Sequence, residues 1–141
     1  MQTNKKLPVY GVVLAAGKGS RMQSNIPKVL HPLAQQALIL HVLDAAQEAG
    51  LHHLTVVVGH GRDQVESEVN AWSEAKDLTV AFAHQKEQLG TGHAVMVCEP
   101  YVPKKPGYVV VLLGDVPLLQ GYTLRESLDY LESSQAEGLV I

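Results

Sequence analysis

Four short, continuous apolar runs, separated by stretches long enough for a helix, constrain this chain more than any other feature. Residues 9–15, 54–58, 78–83 and 108–113 read VYGVVLA, LTVVV, LTVAFA and YVVVLL. Runs this short, Val-rich and without polar alternation are strands covered on both faces. Between them, Gln36 to Ala49 places Leu40, Leu43, Ala46 and Ala49 at helical spacing, with Gly50 as a stop. A second helix follows Gly59-His60-Gly61 and carries Val65, Val69 and Trp72 as core. A third is predicted from Thr91 to Glu99, before a loop marked by Pro103 and Pro106, and a fourth from Thr123 to Leu131. Strands alternating with helices describe βαβ units and an α/β domain, its parallel sheet covered by helices on both faces. The final EGLVI, residues 137–141, reads as a fifth strand in which the chain stops, so ligands from later loops are expected to be missing.

With 141 residues, 46% of them hydrophobic, one domain with one sizeable core is expected. A net charge of −3 and a pI near 6.1 give no broad attraction for nucleic acid or an anionic membrane, so any phosphate site must be local. The single cysteine, Cys98, excludes an internal disulfide, suits a reducing compartment and reads as packing. Lys5 and Lys6 precede no long apolar run, and no segment is apolar enough to span a bilayer, so a cytoplasmic protein is expected. The seven histidines are dispersed, without metal-binding spacing.

In an open parallel sheet, ligands bind beyond the carboxyl ends of the strands, where the loop Ala16 to Pro27 emerges. That loop is not a Walker A motif: Gly11 and Gly17 are separated by five residues rather than four, and Lys18 is followed by Gly19. Nor is it a dinucleotide fingerprint, since Met22 stands where the third glycine belongs and no acid follows the second strand. What remains is a loop whose glycines let peptide N–H groups approach an anion, with Arg21 and Lys28 supplying positive charge. Pro27 gives Lys28 a defined course out of it. Taken alone, the loop leaves open a solvated turn with surface cations.

LAAGKGSRM followed by PKVL resembles the signature of the sugar-phosphate nucleotidyltransferases. QKEQLGTGHA, from Gln85 to Ala94, and GDVPLL, from Gly114 to Leu119, stand in the order found in the bacterial N-acetylglucosamine-1-phosphate uridylyltransferases of that family. The resemblance covers about residues 9 to 141, nearly the whole chain. It implies a Rossmann-like, three-layer α/β fold with a mostly parallel sheet, residues 1–141 being the N-terminal part of the domain. It also implies transfer of a uridylyl group from UTP to N-acetylglucosamine-1-phosphate, giving UDP-N-acetylglucosamine and pyrophosphate for cell-wall precursors.

Residue by residue, the resemblance assigns Leu14, Ala15, Ala16 and Gly17 to the nucleoside and phosphates, and Arg21 and Lys28 to phosphates at the reacting centre. It assigns Gln85, Gly90 and Thr91 to the base, and Leu113, Gly114 and Asp115 to the substrate edge, with Asp115 binding Mg²⁺. The family usually reads Tyr-Gly-Asp there; Leu113 removes a hydroxyl near the sugar phosphate but leaves the metal ligand. Without the other motifs, Asp115 before Val116-Pro117 would read as a turn residue, and Gln85, Gly90 and Gly92 as polar loop and helix-entry positions. The amide of Gln85 can turn either way, so base choice is expected to come from fixed backbone groups. The resemblance further implies that an asparagine metal ligand, several sugar-binding residues and an acetyltransferase domain lie beyond Ile141. On that basis the parent enzyme is expected to be a trimer and this chain not, and the chain is expected to bind nucleotide with little or no turnover. The alternatives are a cytidylyl- or guanylyltransferase, against which EQLGTGHA argues, or a nucleotide-binding module without turnover.

Overall fold

The Val-rich runs pair into one four-stranded sheet in the computed structural model, which describes residues 6–141; Lys5 lies outside them. In chain order the elements are β1 (Val9–Leu14), β2 (Pro32–Leu33), β3 (Gln36–Ala37), α1 (Leu38–Glu48), β4 (His53–Val58), α2 (Arg62–Ala75), β5 (Val80–His84), α3 (Thr91–Met96), β6 (Tyr108–Leu113) and α4 (Gly121–Ser134). The sheet runs β5-β4-β1-β6 and every neighbouring pair is parallel. The chain therefore steps outward from β1 through β4 to β5, then returns to place β6 on the other side of β1. The reversal opens a crevice at the carboxyl ends of β1 and β6.

Alternate residues of the strands feed two cores. Val13, Val56, Val58 and Leu112 join α1, α2 and α4 on one face, where Val65, Val69, Trp72, Leu124 and Leu128 are buried. Val12, Val57 and Ala83 join Ala94 and Cys98 from α3 and its continuation on the other. This is the α/β sandwich that the sequence leads one to expect, with three differences.

The helix expected from Gln36 begins only at Leu38. Gln36 and Ala37 pair antiparallel with Leu33 and Pro32 across a turn in which Ala34 and Gln35 both have positive φ, 49° and 67°. Left-handed backbone at both central residues is the tight-hairpin geometry that fits strand twist. The Leu38 N–H then bonds to the His31 carbonyl at 3.0 Å, which ties the hairpin back to the chain before it.

The fifth strand expected at 137–141 does not form. Among the described residues the sheet ends at β6, and residues 137–141 are irregular. The most hydrophobic strand is consequently an edge: Val109, Val111 and Leu113 are 48%, 44% and 49% exposed on one side, while Leu112 is buried on the other. The third helix is also shorter than expected, ending at Met96 and giving way to a 3₁₀ turn over Glu99–Tyr101.

Candidate active site

The crevice at the switch point is a cavity of about 550 Å³. It is lined by Leu14 at the end of β1, by Ala15, Ala16, Gly17, Arg21 and Lys28 from the segment that follows, by Gln85, Gly90 and Thr91 from the segment after β5, and by Leu113 and Asp115 from the end of β6. Gly114 is the one candidate residue outside this lining. Its N–H bonds to the Leu14 carbonyl at 2.9 Å and closes β6 onto β1 just below the site.

The first loop is shaped by close contacts. The N–H of Ala15 is spent on the Val57 carbonyl at 2.9 Å, which continues the β1–β4 ladder for one more residue. Among the described residues, the N–H groups of Ala16 and Gly17 bond to no protein acceptor, so they are the first free to meet an anion. Gly19, at φ 57°, brings the loop against Lys28: a Cβ there would stand 2.8 Å from that of Lys28. Gly61, at φ 66°, leaves room for the ring of Pro27, which any side chain at Gly61 would overlap. Pro27 is buried on that contact, and Lys28 enters the crevice from a fixed base.

Lys28 Nζ donates to Asp115 Oδ2 at 2.6 Å, joining the loop after β1 to the end of β6. The two side chains are 43% and 30% exposed, so the pair is partly solvated. Arg21 lies exposed on the crevice wall and forms no ion pair among the described residues. Lys18, on the other arm of the loop, is exposed and does not line the cavity. The two cations singled out from the sequence thus face one cavity.

Gln85 is only 3% exposed, and its amide is anchored. Nε2 stands 3.1 Å from the Gly90 carbonyl and 3.1 Å from Nδ1 of His93. The expectation that this side chain turns freely is therefore corrected: a carbonyl oxygen only accepts, so the amide nitrogen is held toward Gly90. His93 is one of seven dispersed histidines in the sequence; as the third residue of α3 it reaches Gln85. Gly19, Ser20, Met22, Val29, Gln88 and Ala94 also line the cavity. Of these, Ser20 and Met22 belong to the GSRM stretch and Gln88 to EQLGTG, where the motifs already pointed.

No group of three or more His, Cys, Asp or Glu side chains is placed to hold a metal among the described residues. Asp115 is the acidic side chain lining the crevice. One hard carboxylate in a crevice that also carries two cations fits an ion such as Mg²⁺, which keeps waters and a few ligands instead of requiring an all-protein cage. No described helix is long and apolar enough to cross a membrane.

Comparison with known proteins bears on the same stretch of chain. Residues 11–141 match the family of MobA-like NTP transferase domains. The chain belongs to that family. As a MobA-like NTP transferase domain, it is 48% identical over 130 residues to the bifunctional protein GlmU of Heliobacterium modesticaldum, covering 92% of this chain and 27% of that protein. It is 47% identical over 122 residues to the bifunctional protein GlmU of Caldanaerobacter subterraneus, covering 86% and 25%. The chain thus spans about a quarter of the length of the curated relatives it matches. The resemblance drawn from the three motifs is borne out.

Among solved structures, a UDP-glucose pyrophosphorylase from Acinetobacter baumanii superposes with a TM-score of 0.76 at 24% identity, over 92% of this chain and 54% of that one. A nucleotidyl transferase from Methanothermobacter thermautotroptrophicus gives a TM-score of 0.71 at 24% identity, over 87% and 57%. At that identity the likeness shows the fold, and the MobA-like domain takes its three layers and parallel sheet from it.

Proposed function

We propose that this chain carries the nucleotide site of a sugar-phosphate uridylyltransferase, which joins UTP to N-acetylglucosamine-1-phosphate and releases pyrophosphate. One observation carries the reading: two cations, one carboxylate and one anchored amide, from three separate loops, converge on one crevice at the sheet's switch point. The near-half identity to the two bifunctional GlmU proteins supports the choice of substrates.

An oxygen of the sugar phosphate attacks the α-phosphorus of UTP; its P–O bond forms as the bond to the β-phosphate oxygen breaks, and pyrophosphate leaves with that electron pair. No protein nucleophile is required. Both reactants are anions, so the protein's task is alignment and neutralisation of charge. The free N–H groups of Ala16 and Gly17 hold phosphate oxygens. Arg21 and Lys28 stand against the phosphates that take up charge. Gln85, Gly90 and Thr91 meet the base. Asp115 would hold Mg²⁺, which when bound would neutralise phosphate charge as a Lewis acid. Leu113, about half exposed, presents an apolar wall where the family's tyrosine would offer a hydroxyl.

Isothermal titration of UTP, CTP and GTP into the chain with Mg²⁺ tests the assignment, with UTP expected to bind most tightly. Equal or tighter binding of CTP or GTP would overturn uridylyl transfer in favour of a cytidylyl- or guanylyltransferase. An absence of binding by all three would overturn the nucleotide site itself.

A further inference from the structure

We propose that His93 is a positioning residue: it holds the Gln85 amide with its oxygen toward the crevice and so makes the site select a base with a ring N–H. The inference rests on the nucleotide-site reading above.

The hydrogen-bond inventory around Gln85 leaves little choice. The Gly90 carbonyl can only accept, so Nε2 faces it, and one amide hydrogen is spent there at 3.1 Å. The second hydrogen points to Nδ1 of His93, also at 3.1 Å. A neutral imidazole has one donor and one acceptor nitrogen, so Nδ1 must be the acceptor and the ring proton sits on Nε2. Turning the amide over would set its oxygen against the Gly90 carbonyl, and His93 could meet it only by moving the ring proton to Nδ1, so the flip exchanges a hydrogen bond for a repulsion and a change of tautomer.

Oε1 is then the group left to read the ligand. It accepts no hydrogen bond from a described residue and is not among the sealed polar atoms without a partner, while Gln85 lines the crevice. A fixed acceptor in a side chain only 3% exposed meets the N3–H of uracil well. It meets the N3 lone pair of cytosine badly, because an unpaired acceptor then stays buried. Base choice therefore depends on a side chain that touches no substrate. Gly90 alone fixes one amide hydrogen; His93 fixes the second and, with it, the plane of the amide.

Two measurements test this on the chain. Nitrogen-15 spectra of the His93 imidazole, recorded without nucleotide, should show the proton on Nε2; a proton on Nδ1 would overturn the proposal. Titrations of UTP and CTP then compare wild type with His93→Phe, which removes the acceptor, and His93→Asn, whose Oδ1 falls close to the place of Nδ1. His93→Phe should lower the preference for UTP over CTP by about three- to tenfold, the loss of one hydrogen bond's orientation, and His93→Asn should restore most of it. An unchanged preference in His93→Phe, or an equal loss for both nucleotides that Asn does not rescue, would overturn it. Should His93→Phe fail to fold, the Asn variant and the tautomer still decide. A wild type without preference for UTP would instead overturn the uridylyl assignment, and the tautomer would still judge the His93 contact.

Discussion

Replacing Lys28 by Met should make the chain bind a divalent ion more tightly in the absence of nucleotide and less cooperatively in its presence. Met keeps a flexible apolar stem and removes the charge that now stands 2.6 Å from Asp115 Oδ2. At 43% and 30% side-chain exposure the pair is well short of buried, so it contributes about 1 kcal/mol rather than several. A divalent ion at Asp115 must displace Lys28 or share the carboxylate with it. Without that competitor its affinity should rise about fivefold, the equivalent of about 1 kcal/mol. UTP affinity should move the opposite way, by about tenfold, since the phosphates lose a charged donor. In the wild type the two effects should be linked. A triphosphate that draws Lys28 away frees Asp115 for the ion, so nucleotide and metal should strengthen each other's binding, and in Lys28→Met most of that coupling should vanish. Water-proton relaxation with Mn²⁺ as the probe, with and without UTP, measures all of these quantities, and Asp115→Asn provides the no-site control. Unchanged or weaker Mn²⁺ binding by Lys28→Met without UTP would refute the competition.

Asp44 accepts from Trp72 Nε1 at 2.9 Å and Gln36 Nε2 at 2.7 Å, tying α1 to α2 and to the hairpin. Burial pushes its carboxyl up, but the hydrogen bonds from Gln36 and Trp72 and the nearby Lys76 outweigh that and leave it below the usual range. Asp44→Ala should cost about 1–3 kcal/mol in urea unfolding, because two donors lose their acceptor. The wild type should lose this contribution as pH falls below about 4 and through the lowered folded value, and the variant should lack that part of the acid slope. Burial pushes the Cys98 thiol up to about 11. Iodoacetamide at pH 8 should therefore label it only after unfolding, and the stability it lends should be full below about pH 8.5 and lost as pH rises toward about 11. Rapid labelling of the folded chain would contradict its packing. Gly61→Ala should cost about 1–2 kcal/mol in urea unfolding for its left-handed backbone, and should weaken UTP binding by displacing Pro27 and Lys28.

Much of the sheet was legible because each parallel strand is a continuous apolar run, and such runs stand out even where helix boundaries do not. The hairpin was not. Its strands have two residues each, and its turn uses Ala34 and Gln35 instead of the glycine or asparagine that marks positive φ. The exposed face of β6 was equally hidden, because an apolar run says that a strand prefers cover and not which neighbour supplies it. At the site, Lys28 and Asp115 were each visible in a motif, yet 87 residues separate them and only the β1–β6 pairing brings them together. His93 carried no signal of its own. Its proposed role depends on the spacing from the Gly90 carbonyl to a ring at the third residue of α3, and that exists only after the segment beyond β5 has folded back on Gln85.

The two side chains to which the proposed function gives ligand choice, Lys28 and Gln85, are both engaged by protein partners, and the two engagements differ in kind. Lys28 pairs with a carboxylate that is 30% exposed, so on that reading phosphate and metal can exchange the pair at a cost of about 1 kcal/mol. Gln85 donates to a backbone carbonyl and a packed imidazole, and both bonds can persist while its oxygen accepts from a base. Exchange suits the reacting end of the pocket, where charge must move as the bond breaks. Retention suits the base end, where selectivity requires that an acceptor stay an acceptor. On the proposed reading, the crevice separates catalysis from recognition along its length. A substitution at Lys28 should change metal and phosphate terms without altering the ratio of UTP to CTP binding, whereas one at His93 should change that ratio and leave Mn²⁺ affinity in the nucleotide-free chain as it was. A Lys28 variant that shifted base preference would break this division, and titration of both nucleotides into Lys28→Met reads it directly.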